Sequence, residues 1–140
     1  MNWLGWALCS ALFAALTAIL AKIGVAGVDA TLATAVRTCV VLVFTWIMVW
    51  LNPAAGELSG LTARNWGFLA LSGMATGLSW LCYFRALHLG QASRVAPIDK
   101  LSVALVIVFA TVSLGERMTW AKAVGGLLIV AGAATIALER

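Results

Sequence analysis

WLGWALCSALFAALTAILAKIGV, residues 3–25, carries a single charged side chain, Lys22, in a run long enough to cross a bilayer. It has no basic leader, and its apolar run exceeds the roughly 7–15 residues of a secretion signal, so it reads as a retained first span. Four further stretches repeat the pattern. They are 31–51 with Arg37 as its one charge, 66–87 with Arg85 near its end, 95–114 with Asp99 and Lys100 in its first turns, and 120–138 with Lys122 near its start. The expected fold is an all-α membrane protein, a bundle of five transmembrane helices in a single domain over 1–140.

Composition points the same way. Of 140 residues, 64% are hydrophobic and 10% charged, against roughly 25% charged in an ordinary soluble domain. That leaves too few polar side chains to cover a water-facing surface. The net charge of +4 is scattered. With no Lys/Arg run, the expected partner is the lipid bilayer and not nucleic acid. Cys9, Cys39 and Cys82 lie in apolar segments without metal-like spacing and read as small packing residues. His88 has no Cys or His neighbour, so no metal or other cofactor is expected. No clustered nucleophile–base set or phosphate-binding glycine loop suggests an enzyme.

The breaks between spans have chemical causes. Gly24, Gly27 and Asp29 are expected to end the first, and Asn52-Pro53-Ala54-Ala55-Gly56 the second, since proline cannot continue the helix ladder. Gly90 closes the third. Pro97 is expected in the first turn of the fourth, where its missing N–H is harmless. Gly115 suits the fourth span's C-terminal cap and Thr119 the fifth's N-terminal cap. Such short connections predict antiparallel neighbours.

Five spans place the two termini on opposite sides. On the N-terminal side, Trp3, Trp6, Trp50, Trp66 and Trp120 sit at span ends, with Trp46 one turn deeper, as an interfacial aromatic belt. Trp80 alone lies well inside a span. The C-terminal side collects Lys22, Arg37, Arg85, Arg94, Lys100 and Arg140, the other side Arg64, Arg117 and Lys122. The positive-inside rule then favours a cytoplasmic C-terminal side in a multi-pass protein of the cell's inner membrane. If Arg37, Arg85 and Lys100 serve a site, that bias vanishes and both orientations stay open.

Polar side chains in a span should face protein or water. At 100° per residue, Ser72, Thr76, Ser79 and Tyr83 share a sector of about 60°, beside a face of Gly73, Gly77 and Trp80. Thr34, Thr38 and Thr45 fall within about 40°, flanked by Arg37. Ser10, Ala14, Thr17 and Ala21 form a small-residue stripe, and Asp99 and Ser102 begin another that runs through Ala110 to Ser113. Two readings stay open: helix packing, with hydroxyls bonding across helices, or a weakly polar path. Gly73-xxx-Gly77, Gly125 and Gly132 read as close packing contacts.

The embedded charges divide similarly. Lys22, Arg37, Arg85 and Lys100 exceed Asp29 and Asp99 by two, and snorkelling to headgroups competes with a functional use. Arg85 points away from much of its helix's stripe, which suits snorkelling. Lys100 stands at the disfavoured positive end of its helix. Asp99 and Lys100 point in different directions, so Asp99 is expected to pair with Arg37 or Lys22. Glu116 is expected to complement the start of the fifth span.

The stretch APIDKLSVALVIVFATVSLGERMTWAKAVGGLLIVAGA, Ala96 to Ala133, resembles the C-terminal half of an EamA domain of the drug/metabolite transporter superfamily. The carriers are Ala-Pro at the helix start, the Gly115-Glu116 turn and a glycine-rich last helix. YFRAL at 83–87 and LFAALTAILAKIGV at 12–25 fit the same family, so the resemblance covers essentially the whole chain. It implies one EamA-type repeat of the single-domain, five-helix branch. Many members carry two such domains in opposite orientations, so a single-repeat chain implies a homodimer, antiparallel or parallel, or a partner half-transporter. Related small multidrug pumps use a glutamate in the first helix, and Ser10 to Ala18 holds no acid, so that mechanism is not carried over.

The expected function is secondary transport or export of a small metabolite or drug-like molecule by alternating access. Thr38, Ser79, Trp80 and Tyr83 are the expected substrate contacts. Arg37, Asp99 and Lys100 form the expected charged gate, whose positive excess suits an anionic or zwitterionic substrate. The competing reading is a non-transporting membrane subunit assembled with a partner protein.

Overall fold

Thr62 starts a helix where hydropathy alone does not: its hydroxyl accepts the Asn65 N–H at 3.2 Å, capping the segment that follows. The third span therefore begins at Ala63, ahead of its apolar run. In a computed structural model describing residues 2–139, and all side chains there except those of 53–55 and 57, the helices are α1 (Trp3–Gly24), α2 (Ala30–Leu51), α3 (Ala63–Leu89), α4 (Ala92–Asp99), α5 (Leu101–Ser113) and α6 (Trp120–Ala137), with a 3-10 helix at Pro53–Gly60. Arg140, counted on the basic side, lies outside the described residues. No strand occurs among the described residues. α4 and α5 together make the fourth span, so five helical segments are long and apolar enough to cross a membrane. The chain is an all-helical membrane protein.

Local chemistry sets the remaining ends. Gly27, with φ +74°, turns the chain after α1. Asp29 does not end α1 as expected. It caps α2, accepting the N–H groups of Thr31 at 2.9 Å and Leu32 at 3.1 Å. The Leu32 bond leads in holding the Asp29 carboxyl below its ordinary value, against opposing desolvation; Thr31 and the nearby Arg85 add to the lowering. Gly115, with φ +68°, ends α5, where the Leu114 and Glu116 N–H groups share the Ala110 carbonyl at 3.0 and 3.2 Å. Thr119 caps α6 as expected, accepting from the Lys122 N–H at 3.3 Å.

The fourth span departs from expectation. It begins at Ala92, which puts Pro97 inside the helix instead of in its first turn. A proline there removes one ladder bond and crowds the carbonyl four residues back. The helix gives way just beyond it. The Lys100 N–H divides between the carbonyls of Ala96 at 3.3 Å and Pro97 at 3.1 Å, and the Val103 N–H bonds Lys100 three residues back at 3.0 Å.

The chain divides into two compact units, Met1–Ile19 with Leu89–Arg140, and Leu20–His88. In the first, α5 and α6 approach at Gly126, where an added Cβ would meet Ile107 Cδ1 at 3.5 Å. The glycines expected to pack closely, Gly73, Gly77, Gly125 and Gly132, have open space where a Cβ would stand. Only a glycine already pressed against a neighbouring helix reports a close approach, and periodicity does not identify it. In the second unit, Val25, Ala30, Thr34, Phe84 and Leu87 are buried. There Lys22 Nζ donates to the Leu87 carbonyl at 2.5 Å. That carbonyl belongs to the last turn of α3, where helical partners run out. Lys22 thus acts as a cap for another helix.

Outside these small cores the apolar surface faces outward, as lipid-facing helices require. Trp3, Trp6, Trp50, Trp66 and Trp120 are all exposed, consistent with an interfacial belt, while Trp80 is half-buried. Cys9, Cys39 and Cys82 are free and exposed, so none is a core packing residue within this chain.

Candidate functional site

In the second unit the site is built on α2 and α3. Trp80 and Phe84 are four residues apart, which stacks them on one face of α3. The guanidinium carbon of Arg37 lies 4.2 Å from the Trp80 ring centroid and 5.4 Å from that of Phe84. Phe84 is 3% exposed, so one wall of this clamp is fixed by packing. Tyr83, the next position on α3, is close enough to act electrostatically on Arg37. Arg37 stands seven residues past Ala30, about 10 Å along the helix at 1.5 Å per residue.

The energetics of that placement are unequal. An arginine at the centre of a spanning helix costs roughly 2.5–3.5 kcal/mol on insertion scales, an upper bound for Arg37, which stands about a third of the way along α2. Cation–π stacking returns about 0.5–2 kcal/mol. The rings offset part of the cost and leave the in-plane N–H edge of the guanidinium to be satisfied by something else. Asp29, the one carboxylate whose side chain is described in this unit, is committed to the α2 cap.

In the first unit Asp99 and Lys100 stand at the break between α4 and α5. Sequence reasoning sends Asp99 to Arg37 or Lys22. The structure pairs it with the adjacent Lys100, 3.2 Å from Nζ to Oδ2. The turn that follows Pro97 and the flexible lysine stem allow neighbours to meet that a regular helix would hold apart. The pair is internally neutral and partly open, with 34% of the Asp99 side chain and 55% of Lys100 exposed. Glu116 likewise pairs with Lys122, at 2.8 Å, as well as standing ahead of α6.

Four threonines of the hydroxyl stripes turn onto their own helices. Thr34 donates to the Ala30 carbonyl at 2.7 Å, Thr38 to Thr34 at 2.8 Å, Thr45 to Val41 at 2.9 Å and Thr76 to Ser72 at 2.9 Å. These are bonds one turn back along the helix, not the bonds across helices that a packing role implied. Each threonine keeps acceptor capacity on its oxygen. Thr38 and Ser79 are exposed, Trp80 and Tyr83 half-buried.

Of the expected site residues, the structure joins Arg37 to Trp80, with Tyr83 beside them, and Asp99 to Lys100. Phe84 was missed. Its spacing of four from Trp80 was the available signal. A shallow groove lined by Leu42, Val43, Trp46, Ile47, Trp50 and Leu51 is almost wholly apolar and offers nothing to orient a polar solute.

A model described as the EamA-like transporter family matches residues 1–138. The chain belongs to the EamA-like transporter family. A Sinorhizobium protein described as an uncharacterized transporter in the cobO 3′ region is 48% identical over 137 residues, covering 98% of this chain and 97% of that one. A Streptantibioticus cattleyicolor protein described as a probable terminal-alkyne amino-acid exporter is 41% identical over 80 residues, covering 54% of this chain and 26% of that one. No solved structure matches. As an EamA-like transporter chain, this protein holds its embedded charges in two different settings, one ring-clamped and one self-paired.

Proposed function

We propose that this EamA-like chain is a secondary transporter that exports a small anionic or zwitterionic metabolite across the cell's inner membrane. It works by alternating access as a dimer, because one five-span repeat is half of the two-repeat arrangement around which transporters build their sites. The observation that carries this reading is Arg37, a permanent charge held inside a spanning helix by two rings. Intramembrane ionisable groups are expensive and mark substrate or ion paths. Trp80, Tyr83, Thr38 and Ser79 are the proposed substrate contacts in one unit. Asp99 and Lys100, at the broken fourth span of the other, are the proposed gate, with Asp99 as the group that carries a coupled proton. The amino-acid exporter similar to part of this chain makes amino acids the first class to assay.

Reconstitution of the chain alone in liposomes tests the reading. The expected outcome is saturable counterflow of a labelled amino acid, and loss of pH-gradient-driven uptake in Asp99→Asn; unchanged uptake in that variant would remove the proton role of Asp99. Reporters on both termini are expected to show whether the dimer is antiparallel or parallel. The second reading, a non-transporting subunit, is favoured by the open Gly73 and Gly77 face, on which another helix can seat. Absence of counterflow from the chain alone, restored by a co-purified partner, would establish that reading instead.

A further inference from the structure

We propose that the N–H edge of the Arg37 guanidinium, held against Trp80 and Phe84, is the anchor for a carboxylate group on the transported molecule. The inference rests on the transport reading above and names the chemical group that the site recognises.

Three observations carry it. The first is orientation. With its carbon 4.2 Å from one ring centroid and 5.4 Å from the next, the guanidinium is held against two aromatic rings. Its five N–H donors form the planar fork that matches a carboxylate bidentately. The second is that the one carboxylate described in this unit does not compete for that edge. Asp29, the described carboxylate of this unit, is tied to the Thr31 and Leu32 N–H groups at the helix cap. The third is depth. Arg37 stands seven residues into α2, within a segment apolar enough to cross a membrane.

Alternatives for the same residue are weaker. A snorkelling arginine extends toward headgroups and has no need of a ring clamp. A purely structural brace between α2 and α3 requires the stack but not the free edge. Lysine in this position would keep the charge and lose both the fork and the planar stack. That difference separates anchor from brace.

The test uses the purified full chain in nanodiscs, with sodium phenylacetate and its neutral isostere phenylacetamide as probes at millimolar concentration. Phenylacetate is expected to raise the unfolding temperature of the wild-type chain, since a ligand of the folded state stabilises it; phenylacetamide is not. Arg37→Gln is expected to weaken apparent phenylacetate affinity about tenfold or more, the loss of a charge-assisted bidentate contact. Arg37→Lys, kept as a second variant in case Arg37→Gln folds poorly, should fall between the two. Equal responses to both probes in the wild-type chain, no response to either, or an Arg37→Lys chain that folds and binds phenylacetate as the wild type does, would each overturn the proposal. Counterflow in liposomes separates this from the broader reading. A carboxylate-selective shift without transport leaves the anchor standing and removes the transporter. Transport that is unchanged in Arg37→Gln removes the anchor alone.

Discussion

Arg37 and Asp99 each lie seven residues past the start of a span, yet one is covered by rings and the other by the residue next to it. Around Arg37 the helix is regular, the compensation comes from α3, and it is incomplete. Around Asp99 the helix is broken, the compensation is local, and the pair sums to zero. A ring clamp leaves a cation with unused donors, so it suits recognition. A self-paired carboxylate and ammonium cancel until one of them changes protonation or finds another partner, so they suit switching. Charge in a membrane helix is informative through what it lacks as well as through where it stands.

The strongest way to break the comparison is Asp99→Asn, which leaves Lys100 without its counter-charge. A loss of about 1–3 kcal/mol is expected, between the values for exposed and buried pairs. The double variant Asp99→Asn with Lys100→Gln should return to within about 0.5 kcal/mol of the parent. Unfolding equilibria in mixed micelles would measure both. A double variant as unstable as the single one would show that the two residues do not compensate each other.

Trp80→Leu addresses the other side, with an expected loss of about 0.5–2 kcal/mol from the uncovered guanidinium. Most of that loss should disappear in an Arg37→Gln background. Strict additivity of the two substitutions in a double-mutant cycle would mean the stack contributes nothing.

The smallest effect is a control outside both sites. Asp29 titrates lower in the folded chain than its ordinary 3.8. The stabilisation from its cap is therefore complete above that ordinary value and disappears as pH falls through the lower folded value. Asp29→Asn should flatten this acid limb in thermal scans while leaving phenylacetate binding unchanged. A binding loss would tie the cap to the Arg37 clamp.

The spans were legible because hydrocarbon imposes one demand over twenty-odd residues, and WLGWALCSALFAALTAILAKIGV meets it with one charge to spare. Thr119 and Gly115 were legible because capping chemistry is local. Thr62 escaped notice because the helix it caps opens on Ala63, Arg64 and Asn65, which hydropathy assigns to a loop. Pro97 was misplaced by the same few residues: a later helix start made it harmless, an earlier one made it a breaker. At the site, Arg37 and Trp80 could be named singly. Their stacking, and the entry of Phe84 beneath it, depend on the azimuth of α2 against α3, which no single-helix projection contains. The Asp99–Lys100 pair was excluded by reasoning from an intact helix, and it exists where the helix is not intact.

The bond from Lys22 to the Leu87 carbonyl spans 65 residues of chain, and its consequence belongs to biogenesis. At roughly 5–20 residues per second of synthesis, Lys22 waits several seconds for its acceptor to leave the ribosome. Through that interval the first span lacks this bond, and its direction of insertion is expected to stay open to correction. Arrest of translation before and after Leu87 has cleared the ribosome exit tunnel should divide a population of first spans whose orientation still responds to added flanking charge from one whose orientation is set.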